Sequence, residues 1–276
     1  MQINLAQLWD RQPLKKASVP ASRQVRWSRW LPVVVFAVFL AAWELVVRFA
    51  DYPAYILPTP GQVARKFVLV LLDGTLLYHT GVTLLEVLGG LVLGVSVATV
   101  LGYALAKSVA VERALSPYLV ASQAVPIVAI APLLVIWFGP GLSSKILISA
   151  LIVFFPILIN TIAGVRDVPA DLHDLMRSLH ATRWQVFTRL EVPSALPVLL
   201  AGLKVGATLS VIGAVVGEFA GASAGLGVMI SVADGQYDTA RMFVGVLALV
   251  ALALSLYGLV YLLEKRLLSW RANGAG

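Results

Sequence analysis

Six apolar runs recur along the chain, at about residues 31–50, 84–106, 118–138, 146–164, 197–217 and 242–263. Each comes close to the ~20 residues that a helix needs to cross the hydrocarbon layer of a bilayer. No water is present in that layer to satisfy backbone N–H and C=O groups, so isolated runs of this kind cross it as helices. A soluble core could absorb one such run. It could not absorb six in 276 residues of which 59 % are hydrophobic and 13 % charged, at a mean hydropathy of +0.89. The expected fold is therefore all-α, a polytopic membrane protein with six transmembrane helices. The same composition excludes several chemistries. There is no cysteine, hence no disulfide, thiolate nucleophile or cysteine-bound metal. The three histidines, His79, His173 and His180, are scattered, and no carboxylate cluster accompanies them. Neither a catalytic residue nor a metal ligand is expected.

Residues 1–30 form a basic tail in which Arg11, Lys15, Lys16, Arg23, Arg26 and Arg29 face Asp10 alone. Such cations contribute about 1 kcal/mol each beside anionic lipid, so the tail reads as a tether to the bilayer and not as a nucleic-acid arm. The run that follows, Leu31 to Val47, is too long for a signal-peptide core and lacks a small-residue cleavage site. It is read as a retained first span. Trp30, Tyr52 and Tyr55 bracket it as interfacial aromatics, and Glu44 inside it must face protein or snorkel. Pro58 and Pro60 then open a short helix running through Phe67 to Leu72, too short to cross.

Within the spans, glycine and proline carry the information. Gly90 and Gly94 in span two, and Gly202/Gly206 and Gly213/Gly217 in span five, are GxxxG pairs that let a neighbouring helix approach closely. In span three, Pro126 and Pro132 each remove an N–H and free a carbonyl, so the helix should bend or break at mid-membrane. Broken helices are tolerated where neighbours or a water-filled path satisfy the freed groups. Span three is accordingly read as lining a translocation pathway, with a kinked packing helix as the alternative. Span four holds Pro156 and Asn160. Lys204 lies close enough to the start of span five to snorkel, and Glu218 stands where that span should be ending.

One segment between the apolar runs, Asp171 to Pro193, is charged and amphipathic, and must lie outside the hydrocarbon. Leu172, Leu175, Met176 and Leu179 fall at i, i+3, i+4 and i+7 and make one apolar stripe on a short helix. Thr182 and Gln185 have the spacing of a capping box, which starts a second short helix carrying Trp184 and Phe187. Helix, sharp turn, helix is expected, closed by Pro193 and Pro197.

This segment resembles the cytoplasmic "EAA" loop of ABC importer permeases. Asp174, Leu175 and Met176 take the places of Glu-Ala-Ala, His180 that of the following glycine, and Leu190-Glu191-Val192-Pro193 that of the apolar-x-Leu-Pro ending. The larger apolar groups and His180 depart from the family pattern. A helix end at that point usually needs φ > 0, and His is among the few non-glycine types enriched there, so the turn is expected to survive. Two further stretches are similar to the branch of the family that handles sulfonates, taurine and nitrate, Pro126 through Ala131-Pro132-Leu133 to Trp137-Phe138-Gly139-Pro140-Gly141 and Leu57-Pro58-Thr59-Pro60, and Glu218 before Gly225-Leu226-Gly227 resembles the family at large. Together they cover essentially residues 31–265. The resemblance implies a type I ABC importer transmembrane domain over 31–265, with a cytoplasmic coupling loop at 166–195 and a short tail at 266–276. Leu172, Asp174, Leu175, Met176, Arg177, Leu179, His180 and Trp184 would then touch an ATPase subunit. Pro126, Pro132, Trp137 and Glu218 would serve the pathway or its gating.

Orientation follows independently from charge. Six spans place the basic tail, Lys107, Arg113, Arg166, Arg177, Arg183, Arg189, Lys265, Arg266 and Arg271 on one side, against Arg65, Lys66, Lys145 and Arg241 on the other, with Arg48 near the boundary. Positive residues favour the cytoplasm, so both termini and the amphipathic segment are expected there, in a bacterial inner membrane. The chain has no Gly-Lys dipeptide and hence no P-loop, so any ATP and Mg would sit on a separate ATPase subunit, with no cofactor in this chain.

These expectations describe a permease subunit that works with an ABC ATPase, an extracytoplasmic substrate-binding protein and a second permease copy. A self-sufficient secondary transporter is the alternative from another class, but it should show an internal repeat or paired broken spans, and only span three is clearly broken. An integral-membrane enzyme is a third. The Asp174-Leu-Met-Arg-Ser-Leu-x-Ala-Thr-Arg183 form of the loop is similar to permeases for riboflavin or thiamine precursors, which makes a vitamin or its precursor the expected solute; a sulfonate, taurine or nitrate is the alternative.

Overall fold

The computed structural model describes residues 30–269. The expected basic tail over residues 1–30, apart from Trp30, and the final cation Arg271 fall outside the described residues. Among the described residues every regular element is helical, and five helices are long and apolar enough to cross a membrane, or six if one bent pair counts as a single span.

The chain divides after Asp51 into two units. The described part of the first is helix α1, Leu31–Phe49, with proline in its first turn, where a missing N–H removes no intrahelical bond. Glu44 meets Arg48 at 2.7 Å one turn further along, so its charge is answered on its own helix.

The second unit begins with α2, Pro60–Leu72, whose start combines Pro60 with a capping box between Thr59 and Gln62. Four elements follow in pairs: α3 (Thr75–Ala106) and α4 (Val109–Gln123), then α5 (Ile127–Phe138) and α6 (Leu142–Arg166). The amphipathic segment supplies α7 (Ala170–Ser178) and α8 (Arg183–Val186). The long α9 (Val192–Gly221), the short α10 (Leu226–Gly235) and α11 (Thr239–Leu267) complete the unit. Span two thus starts at Thr75, well before residue 84, because nothing from Thr75 to Thr83 interrupts helical geometry.

Helix α6 lies between α3 and α9, and glycine makes both interfaces possible. Gly94 faces the Ala150 carbonyl, where an added Cβ would stand 2.7 Å from oxygen, and Gly90 faces Ser149. On α9, Gly202 faces Asn160, Gly206 faces Val153 and Ile157, Gly213 faces the Ser149 backbone and Gly217 faces Lys145. All six glycines of the GxxxG pairs therefore serve one purpose, the close approach of α3 and α9 to α6, and the two helices also pack on each other through Val87, Ala207, Val211 and Ala214. The Ser149 hydroxyl, fully buried, donates to the Ser210 carbonyl at 3.0 Å and closes the α6–α9 contact with a polar bond. On the outer flank of α9, Lys204 meets Glu264 of α11 at 2.8 Å, so the lysine that seemed placed to snorkel is used as an interhelical pair.

Span three is two helices. It bends by 90° between α4 and α5, at Ala124, Val125 and Pro126. Proline disfavours the helical region for the residue before it, which places the break at Val125. Pro132 does not break the chain and remains inside α5, where it leaves only the Val128 carbonyl without its usual donor. The expected closure of the amphipathic segment by Pro193 and Pro197 is likewise corrected. Phe187–Glu191 forms a π-turn in which the Val192 N–H reaches back to the Phe187 carbonyl, and the helix runs on through both prolines into α9. A wider turn just before a proline makes room for its ring, so the chain bends its hydrogen bonding without stopping.

Candidate functional site

Helix α7 stands at the end of the molecule where α3 and α6 finish. Its apolar stripe is uncovered: Leu172, Leu175 and Leu179 are exposed and Met176 is half-buried. Asp174 and Arg177 pair at 3.1 Å at the stripe's edge, an exposed contact that contributes little to stability. The helix ends as expected at His180, which takes φ +53. The His180 N–H reaches the Arg177 carbonyl and the Ala181 N–H the Met176 carbonyl, both at 3.0 Å, a Schellman ending with histidine in the place usually held by glycine. Thr182 and Gln185 then form the capping box read from the sequence.

What fastens this hairpin to the bundle is Glu191, which sequence reasoning passed over as part of a loop ending. Its side chain is 2 % exposed and gathers the Tyr103 hydroxyl at 2.9 Å, the Lys107 ammonium and, at 3.3 Å, His173 Nε2. A buried carboxylate is tolerable only with such a set of donors. Three pieces are thereby joined: α7 through His173, the end of α3 through Tyr103 and Lys107, and the root of α9 through Glu191 itself. Phe187 adds an edge-on contact to Tyr103 at 5.1 Å between ring centres, and Trp184, 70 % exposed, leans on Phe187 at 5.5 Å. Short, directional contacts therefore connect α7 to both α3 and the root of α9.

The pathway candidates lie on two helices, α5 and α9, that pack against each other. Pro126 caps α5 and Pro132 lies within it; Trp137, near its end, is largely exposed. Glu218 is 2 % exposed inside the last turns of α9, the stretch that meets α5 through Val216 and Ala220. It organises the start of α10. Its Oε1 accepts from Thr83 at 2.6 Å and its Oε2 from the Gly227 N–H at 2.5 Å; the Leu226 N–H donates to Thr83 Oγ1 at 2.8 Å and the Gly225 N–H to His79 Nδ1 at 3.0 Å. Three consecutive amides at a helix N-terminus are thus satisfied by side chains of α3 and α9, and the carboxylate complements the positive end of the α10 dipole. Gly225 has φ +124 and packs directly on the Glu218 carboxyl, where a Cβ would collide with it.

Two further buried ionisable groups adjoin Glu218, and neither was singled out from the sequence. Glu86 of α3 is 3 % exposed. Lys145 of α6, counted above among the loop cations, is buried inside the unit. Its ammonium donates to the Gly221 carbonyl at 2.7 Å and to the Pro140 carbonyl, so a cation closes the C-terminus of α9. The signal for both was in the chain: an ionisable residue inside an apolar run is expensive and carries a reason. Among the described residues no group of histidines and carboxylates has the makings of a metal site.

Comparison with known proteins places this geometry. A family model described as binding-protein-dependent transport system inner membrane component matches residues 90–269. The riboflavin transport system permease protein of Chloroflexus aurantiacus is 44 % identical over 265 residues, covering 95 % of this chain and 98 % of its own length. The formylaminopyrimidine transport permease protein of Halalkalibacterium halodurans is 36 % identical, over 87 % of this chain and 95 % of its own. The taurine transport system permease protein of Escherichia coli is 33 % identical, over 91 % and 96 %.

Proposed function

Because the chain belongs to the family of binding-protein-dependent transport system inner membrane components, we propose that it is the permease of a riboflavin or vitamin-precursor importer, driven through α7 by a separate ABC ATPase. The observation that carries the mechanical part is the Glu191 junction. It makes the exposed stripe of α7 continuous, through His173, Tyr103 and Lys107, with both long helices that pack on α6. In this reading Leu172, Leu175, Met176 and Leu179 seat in a groove of the ATPase, Asp174 and Arg177 form the rim, and His180 and Trp184 flank the contact. ATP and Mg belong to that subunit. Closure of an ATPase dimer moves two such hairpins together, and the bundles of two permease copies rock as rigid bodies to switch access. Both termini then lie in the cytoplasm and a binding protein delivers solute from the other face. The 90° break at Pro126, the exposed face of α5 with Trp137, and Glu218 where it holds the start of α10 are assigned to the pathway and its gating.

The solute assignment rests on the 44 % identity with the riboflavin permease, against 33 % with the taurine permease. The test is uptake by vesicles holding the permease, its ATPase and its binding protein. Labelled riboflavin should accumulate only with ATP inside the ATPase compartment and should be displaced by unlabelled riboflavin or a formylaminopyrimidine. Displacement by taurine and not by these would reassign the solute to the sulfonate branch. Accumulation without nucleotide would replace the ATPase-driven reading with a secondary transporter.

A further inference from the structure

A groove of about 580 Å³ lies between the ends of α3 and α6 and the start of the helix that runs from Arg183 into α9. Its walls are apolar: Val100 and Tyr103 on α3, Val165 on α6, and Trp184 and Phe187 on the facing helix. The protein does not cover it, since Val100 and Trp184 are 69 % and 70 % exposed. One cation, Arg183, stands at its edge. Lys107 and Glu191 are matched to one another and Arg166 to Glu112, and Arg189 does not line the groove. Among the described residues no carboxylate pairs with Arg183.

An unmatched guanidinium at the mouth of an apolar groove, near the last turns of membrane helices, has a specific chemical complement. It is an acyl chain attached to a phosphate. Basic pockets between membrane helices bind anionic headgroups, and the planar fork of arginine matches phosphate oxygens better than a lysine would. Trp and Tyr at the rim are the residue types that settle at headgroup depth. We propose that this groove holds one acyl chain of an anionic phospholipid whose phosphate pairs with Arg183. The headgroup then lies at the interface beside Trp184, which keeps its other face for the ATPase contact, and the chain runs past Phe187 along Val192, Ala195 and Leu199 into the hydrocarbon. This inference does not depend on the solute or on ATP-driven transport.

The test uses the full-length permease exchanged into nanodiscs of dioleoyl phosphatidylglycerol or dioleoyl phosphatidylcholine and examined by native mass spectrometry. The wild type should retain phosphatidylglycerol under activation that strips phosphatidylcholine. Arg183→Gln should lower that preference about fivefold, the worth of one cation beside anionic lipid. Arg183→Lys keeps the charge and should keep most of the preference, which separates lost recognition from misfolding. Val100→Trp fills the groove from an exposed position and should abolish retention. A photoreactive amino acid at position 100 should crosslink to phosphatidylglycerol. Equal retention of both lipids, unaffected by Arg183→Gln, would overturn the proposal. So would a crosslink from position 100 to polypeptide, which would assign the groove to a second copy or another subunit.

Discussion

The Glu218 carboxylate and the Gly227 amide, nine positions apart in sequence, meet at 2.5 Å where α9 has ended and α10 begins. With Thr83 on its other oxygen, Glu218 bridges α3, α9 and α10 in a space from which water is excluded. Removing it orphans two donors and leaves Lys145 beside one carboxyl fewer. Glu218→Ala should cost on the order of 3 kcal/mol, whereas Glu218→Gln retains one acceptor and should cost roughly half as much. Thermal unfolding of the purified variants in detergent checks the order. Equal midpoints for Ala and Gln would show that the hydrogen bonds to Glu218 contribute nothing.

The α6–α9 interface sorts its glycines by distance. At Gly213 an added Cβ would stand 2.5 Å from Ser149 Cα, a backbone atom that cannot rotate away. At Gly206 it would meet the side chains of Ile157 and Val153 at 3.3 Å, and these can adjust. Gly213→Ala should therefore cost about 2 kcal/mol and reduce the amount of protein recovered from membranes, while Gly206→Ala stays below about 1 kcal/mol. Parallel melting curves and membrane yields decide it; a Gly213→Ala protein as stable as Gly206→Ala would mean that the helices stand further apart than described.

His180 holds a left-handed conformation that costs a residue with a Cβ about 1 kcal/mol. His180→Gly removes that cost and should slow hydrogen exchange at the Ala181 amide, whose bond to the Met176 carbonyl depends on the turn. His180→Val adds β-branching in the same place and should speed exchange several-fold. Exchange mass spectrometry of the peptide spanning residues 175–185 provides the readout, and a Val variant no faster than wild type would contradict it.

The elements that the sequence made legible are those whose signal is local. The stripe of α7, the capping box at Thr182 and Gln185 and the turn at His180 each depend on residues within one or two helical turns. The GxxxG pairs were equally plain, since small residues four apart have few other uses in a membrane helix. The failures are tertiary. Pro193 and Pro197 read as stops, but a π-turn upstream lets the helix pass. Lys145 was assigned to a loop because it stands near the start of an apolar run; it is buried because two carbonyl groups, at Pro140 and Gly221, converge on it from different parts of the chain. Glu86 stands in no motif and Glu191 only at the variable place of the loop ending, since the partners that explain them lie on other helices. Charged residues in such positions are found by asking which ions the bilayer would reject, a question that motif spacing does not pose.

Leu175 tests the lever itself. It lies at the centre of the α7 stripe and is 53 % exposed, with no role in holding the bundle together. A glutamate there places a charge in the contact with an ATPase groove, where an unpaired carboxylate loses its water without gaining a partner. It leaves the Schellman ending and the Glu191 junction intact, so folding and membrane insertion should be normal. Leu175→Glu should therefore reduce ATP-driven uptake at least tenfold, the effect of about 1.4 kcal/mol or more at that contact, with protein levels unchanged. Leu175→Ala removes packing but adds no charge and should fall between the two. Copurification of the ATPase with each variant gives a second measure in the same order. Undiminished uptake by Leu175→Glu, at normal abundance, would move the driving contact away from α7.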